Sequence, residues 1–194
     1  MKPALPWTVL YVAAALAMVP TGVPAEEAGS PGERYEAVLD IDRDGRMDRA
    51  VLLRHPSGAA ADLMIYLAAG LEALDLSRKP DIRKDDLAYG HVMQLGTNGK
   101  GSLTVQYGCG GCSNDYETVL TIVHRGGDFF VAGFSYNWET REGVGSCDIN
   151  FLTGKGVRSR ALARARPIRE RFTPVRLTDW SDDKLPKPLE KACF

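Results

Sequence analysis

The sequence predicts a mostly β domain, built as a single antiparallel β-sheet or a small sandwich, with an irregular C-terminal tail. Two observations predict it. Short runs rich in β-branched and aromatic residues recur along the chain, and Gly-rich or Asx-rich turns separate them.

The first 25 residues stand apart. Lys2 supplies a positive start, Trp7 to Val19 is apolar but short for a bilayer span, and Val23-Pro24-Ala25 offers small residues for cleavage. This is the pattern of a secretory signal, with an uncleaved membrane anchor as the competing reading, and it implies a periplasmic or secreted protein with no stable membrane span once the signal is removed. Cleavage after Ala25 removes one lysine and no acid, taking the basic residues from 24 to 23 against 25 acids, a formal charge of −2. That balance excludes a general attraction to nucleic acid and leaves an envelope partner open. Residues 26–194 have the length of one domain, read as a β domain over 26–173 and a surface tail over 174–194.

Residues 26–33 are polar and open the domain. Tyr35 to Leu39 reads as a strand, and Arg49 to Arg54 as its antiparallel neighbour across an acidic turn. His55-Pro56-Ser57-Gly58 turns the chain into Asp62 to Ala68. Leu63, Leu67, Leu71 and Leu74 also fit helical spacing, but Gly70 and the strand–turn–strand setting favour a strand. Residues 75–90 are charged and read as irregular. His91 to Leu95 and Ser102 to Tyr107 form a hairpin across Asn98-Gly99, a strong turn signal. Glu117 to His124, Phe129 to Tyr136 and Cys147 to Thr153 complete the expected strands. From Pro174 the chain is rich in Pro, Asp and Lys, the composition of a surface tail.

The clearest chemical signal lies in residues 40–48. Asp40-Ile41-Asp42-Arg43-Asp44-Gly45-Arg46-Met47-Asp48 reads D-x-D-x-D-G-x-x-D. Alternating Asp40, Asp42 and Asp44 can converge as the backbone curls, and Gly45 permits the sharp turn. The Arg46 carbonyl and Asp48 complete an all-oxygen set suited to one Ca²⁺. Val51 stands where an EF-hand places its bidentate Glu, so the expected affinity is modest, about 10⁻⁴–10⁻³ M. An acidic, solvated turn is the plainer reading of the same residues.

The segment DIDRDGRMDRAVLL resembles the calcium loop of FG-GAP and VCBS-type repeats, in which such a loop leads into an apolar strand. GCGGCSNDYETVLTIVHR, FFVAGFSYNW and CDINFLTGKG together resemble a group of small uncharacterised bacterial exported proteins. That resemblance implies a periplasmic location and carries no activity with it.

Four cysteines in an exported chain make two disulfides the default. Cys109 and Cys112 have C-x-x-C spacing, which also suits thiol–disulfide redox chemistry, the alternative function. A redox pair wants a helix to follow the first Cys, whereas the residues after Cys112 are strand-like. A zinc site from Cys109, Cys112, Cys147 and Cys193 is a further alternative. A bridge from Cys109 or Cys112 to Cys147, with the other joined to Cys193, suits the expected hairpin. Cys109–Cys112 with Cys147–Cys193 is the rival, and the sequence does not choose.

The remaining candidates have simpler readings. His55, His91 and His124 are isolated in sequence. Ser113, Asp115 and Glu117 fit a turn and strand start, and the arginines from Arg158 to Arg171 fit a solvated face. Tyr116, Phe134, Tyr136 and Trp138 fall together at one end of the expected sheet, as core or as an aromatic ligand platform. No nucleophile elbow, zinc-protease helix or phosphate loop is present, so no catalytic residue is assigned and binding is the expected role.

Overall fold

The computed structural model describes residues 32–141, 143–161 and 163–194, so the expected signal segment lies outside the described residues. The domain is mostly β, with two antiparallel sheets formed one after the other along the chain. The first is a meander of β1 (Arg34–Leu39), β2 (Asp48–Arg54), β3 (Ala60–Tyr66) and β4 (Ile82–Tyr89). The second comprises β5 (Val92–Thr97), β6 (Leu103–Cys109), β7 (Asp115–Arg125), β8 (Asp128–Thr140), β9 (Gly143–Asn150), β10 (Lys155–Arg160) and β11 (Arg166–Pro167), with β12 (Val175–Arg176) paired to β8. Every expected strand forms within a few residues of its expected ends, and the segment expected as Asp62 to Ala68 is a strand over Ala60–Tyr66 rather than a helix.

Alternation explains most of the second sheet. Leu120 and Ile122 of β7 point into the core, as do Leu103 and Val105 of β6, while Val119 and Thr121 lie on the opposite face. β2 and β3 do not alternate, because both of their faces are covered. Ala50, Leu52, Ala61, Leu63 and Ile65 join the main core between the sheets. Val51, Met64 and Tyr66 face the other way and pack with Leu53, Ala69 and Leu74. The connection after β3 thus roofs the outer face, which is why the sequence there is continuously apolar. Each fully buried leucine or isoleucine contributes about 1.5–3 kcal/mol.

Two parts of the chain are more ordered than their composition suggests. The segment 75–90, expected to be irregular, contains β4. This strand ends the first sheet, and Arg83, Lys84, Asp85 and Asp86 are the kind of charged residues an edge strand carries. Its pairing with β3 slips between Ala61 and Leu63, and Asp86 takes a positive φ of 51° there.

The segment 174–194, expected to run over the surface, folds back into the core. Leu177, Trp180, Leu189, Ala192 and Cys193 are buried. β12 occupies β8 at Phe130 and Val131, where β9 has stopped, and helix α1 (Lys187–Cys193) closes the chain. Trp180 packs against Phe134 and Phe151, with ring centroids 5.9 and 6.2 Å away. A few apolar anchors spaced among Pro, Asp and Lys suffice to bury the segment, and average composition hides them.

Candidate functional site

Residues 40–47 form the loop between β1 and β2, whose ends pair at Leu39 and Asp48. Arg43 and Gly45 both adopt positive φ, 64° and 86°, and this curls the loop tightly. Ile41, a spacer between the motif's first two aspartates, is buried and pins the loop to the core. Asp40 accepts the N–H groups of Asp44 and Gly45, each at 3.1 Å, and Asp42 also accepts from Asp44 at 3.1 Å. Asp48 is fully buried, accepting from Ile41 at 2.8 Å and from Ala68 at 2.7 Å.

The curl brings carboxylate oxygens of Asp40, Asp42 and Asp48 within 4.8 Å of one another. Asp44, expected in the same set, turns away. Its carboxylate takes the Arg46 Nε at 2.8 Å, and those hydrogen bonds hold its pKa below the usual value. The donor set is therefore three carboxylates of hard oxygen, each with lone pairs left over. Burial pushes the Asp48 carboxyl up, the Ala68 and Ile41 N–H groups pull it back, and the charge on Asp42 pushes it up again. Three clustered carboxylates with hard oxygen donors suit a hard divalent cation.

The cysteines pair as Cys109–Cys112 and Cys147–Cys193, with Cα separations of 5.9 and 5.5 Å. The cross-pairing of Cys109 or Cys112 with Cys147 is therefore corrected. Cys109 faces Tyr116, Tyr116 faces Trp138, and Trp138 faces Gly145 on the strand that carries Cys147. Two strands intervene, a gap of about 14 Å at three strand spacings, whereas a disulfide needs roughly 4.4–6.8 Å. Both bridges leave no thiolate for zinc. His91 sits beside the Cys109–Cys112 sulfurs, but those sulfurs are spent on each other.

His55 is not isolated in space. Its Nε2 lies 2.7 Å from Asp62 Oδ1, and its Nδ1 lies 3.7 Å from Asp86. Asp62 also accepts Arg83 Nη2 at 2.6 Å and the Asp86 N–H at 3.0 Å. The sequence carries no signal for this group, because the slipped pairing of β4 assembles it. Arg83 already neutralises Asp62, so the arrangement reads as a clamp between β3, β4 and the turn before β3. His124 packs on the Phe129 ring at 4.9 Å. Arg160, Arg164, Arg166, Arg169 and Arg171 are exposed, as a solvated face requires, while Arg158 donates to the Ala192 carbonyl at 3.0 Å.

The aromatic residues divide. Phe134 is core. Tyr116, Tyr136 and Trp138 form a half-exposed row on the same face, with Tyr136 centroids 6.2 Å from Tyr116 and 5.5 Å from Trp138. Phe194 closes on Tyr136 at 4.8 Å. Trp138 lies flat over Gly145, where an added Cβ would come 2.2 Å from the indole. Beside this row, Tyr89, Asp182, Asp183 and Leu185 complete a hollow of about 290 Å³. A more open hollow of about 500 Å³ lies beside Gln106, Glu117 and Asn137. Glu117 there is satisfied by Gln106 Nε2 at 2.7 Å and Asn137 Nδ2 at 3.3 Å. Ser113 and Asn114 lie on an exposed turn.

No protein-family model, curated protein or solved structure matches this chain. Among the described residues, no helix is long and apolar enough to cross a membrane.

Proposed function

We propose that the chain is an exported, non-enzymatic β domain that binds one Ca²⁺ in the 40–48 loop and serves in binding or envelope interaction. The observation that carries this reading is the convergence of Asp40, Asp42 and Asp48 in a loop already curled to receive an ion. The two disulfides are compatible with an oxidising compartment, and the loop's likeness to FG-GAP and VCBS loops points the same way.

When bound, the ion supplies positive charge and fixed coordination, and no chemistry of its own. The chain's residues translate that into rigidity. Asp48 ties the loop to the end of β3 through the Ala68 N–H, and Arg43 Nη2 reaches the Lys100 carbonyl in the β5–β6 turn at 3.3 Å. A stiffened loop therefore joins the two sheets at one end of the sandwich.

The test is thermal melting of metal-stripped protein with and without Ca²⁺, beside Asp40→Asn/Asp42→Asn. At 100 times Kd the ion stabilises by about 2.7 kcal/mol, or about 5–11 °C for a chain of this size. The wild type is expected to shift and the double variant not. Equal melting of stripped wild type in Ca²⁺ and in chelator refutes the reading.

A second reading, thiol–disulfide exchange, draws on the local Cys109–Cys112 bridge with Cys112 exposed. Against it, the chain after Cys112 turns into β7, so no helix dipole stabilises a thiolate.

A further inference from the structure

The hollow beside the aromatic row has a definite chemical character. Its walls are the rings of Tyr89, Tyr116, Tyr136 and Phe194, and its floor carries Asp182 and Asp183. Asp182 is held by two neutral donors, the Tyr107 hydroxyl at 2.6 Å and the Trp180 Nε1 at 3.0 Å. Neither acid has an ion-pair partner among the described residues. This contrasts with Asp44, Asp62 and Asp128, each of which meets an arginine. Nor do the Tyr116 and Tyr136 hydroxyls have a hydrogen-bond partner among the described residues.

The electrostatics agree with the geometry. Burial raises the pKa of Tyr116, and the charge on Asp182 raises it further. Burial also raises Tyr89, with Asp86, Asp183 and Asp182 adding to it. Asp182 itself is raised by burial and by Asp183, against the Tyr107 and Trp180 donors and the weaker charge of Lys84. The residues that line the space include two acids and no basic side chain, Lys84 acting on Asp182 from outside the lining. Aromatic rings line the space, and an aromatic face attracts a cation placed over it.

We propose that this cleft binds a small organic cation of the quaternary or alkylated ammonium class. Rings supply cation–π contact and dispersion to the alkyl groups, while Asp182 and Asp183 balance the charge without a tight hydrogen bond that a fully alkylated nitrogen cannot make. A volume of about 290 Å³ suits a headgroup of that size and is small for an extended chain. The site shares no residue with the 40–48 loop, so it stands or falls separately from calcium binding.

The experiment is calorimetric titration of the full chain with choline chloride, and with 3,3-dimethylbutanol, which has the same shape without the charge. Choline is expected to bind at least about tenfold more tightly, the scale of a cation–π contact in a partly desolvated site. Asp183→Asn, at an exposed position, and Tyr136→Leu are each expected to weaken choline at least about fivefold, with the far-ultraviolet dichroism unchanged. Chelator is expected to leave choline affinity unaltered. Sedimentation with phosphatidylcholine vesicles then separates two sources of the same chemistry. Vesicle binding that choline displaces points to a lipid headgroup, and choline binding without vesicle binding points to a free solute. Equal binding of choline and the neutral analogue, or no choline binding at 50-fold excess over about 1 mM, overturns the proposal.

Discussion

The two disulfides are predicted to matter to very different degrees. Cys109–Cys112 spans a sequence separation of 3, and Cys147–Cys193 a separation of 46. In the chain-entropy treatment, closing the short loop restricts the unfolded chain by about 1.6 kcal/mol and closing the long one by about 4 kcal/mol. For a domain of this size these correspond to losses of about 3–6 °C and about 8–16 °C in Tm. The perturbations are Cys109→Ala/Cys112→Ala and Cys147→Ala/Cys193→Ala, compared by urea unfolding under non-reducing conditions. Cys147 and Cys193 are both buried, so their replacement also leaves small voids. The single variants control for that. If the bond dominates, Cys147→Ala and Cys193→Ala each cost nearly as much as the pair, because either one breaks the same bridge. A short bridge costing as much as the long one, or single costs that simply add, would refute the reasoning.

Two further predictions concern packing and pH. Gly145→Ala forces the Trp138 indole off its seat, at a cost of about 1–3 kcal/mol; a melt and tryptophan emission identical to wild type would contradict the flat stacking. Burial raises the Asp62 carboxyl, but the Asp86 N–H, His55 and Arg83 outweigh it, so its folded pKa is depressed. Its stabilisation is therefore present above the unfolded pKa, about 3.9, and lost as pH falls through the lower folded value. Asp62→Asn is expected to cost about 1–3 kcal/mol at pH 6, and the gap from wild type is expected to narrow below about pH 4. A gap independent of pH would remove the carboxylate charge from the explanation.

The sequence showed the strands where side chains alternate or where turns are chemically marked. Asn98-Gly99 and the β-branched run at Thr118 to Val123 are examples. It hid structure where edge charge or spaced anchors set the pattern, as in β4 and the segment around Trp180. Of the acidic loop, the motif offered Asp40, Asp42 and Asp44 as converging carboxylates completed by the Arg46 carbonyl and Asp48, and the structure brings together those of Asp40, Asp42 and Asp48. The motif did not reveal that Asp44 prefers Arg46, because a nearby guanidinium competes for the same carboxylate. Strand order decided the disulfides: the hairpin argument placed Cys147 correctly beside Tyr136 but overlooked the two strands between it and Cys109. The Asp62 clamp and the Asp182 hollow depend on contacts between distant segments, which no local pattern encodes.

The fold-back of residues 174–194 also divides the domain into a local scaffold and a late-sequence closure. Strands from Arg34 to Asn150 pair with their immediate neighbours in the chain. Trp180, the acid pair Asp182 and Asp183, Phe194 and the partner of Cys147 all lie later in the sequence. The scaffold of paired strands is thus local in sequence, and the aromatic hollow is not. Whatever enters that hollow therefore meets a complete site only when the segment from Trp180 to Phe194 is docked on the sheets, so loosening that segment empties the site without unfolding the strands.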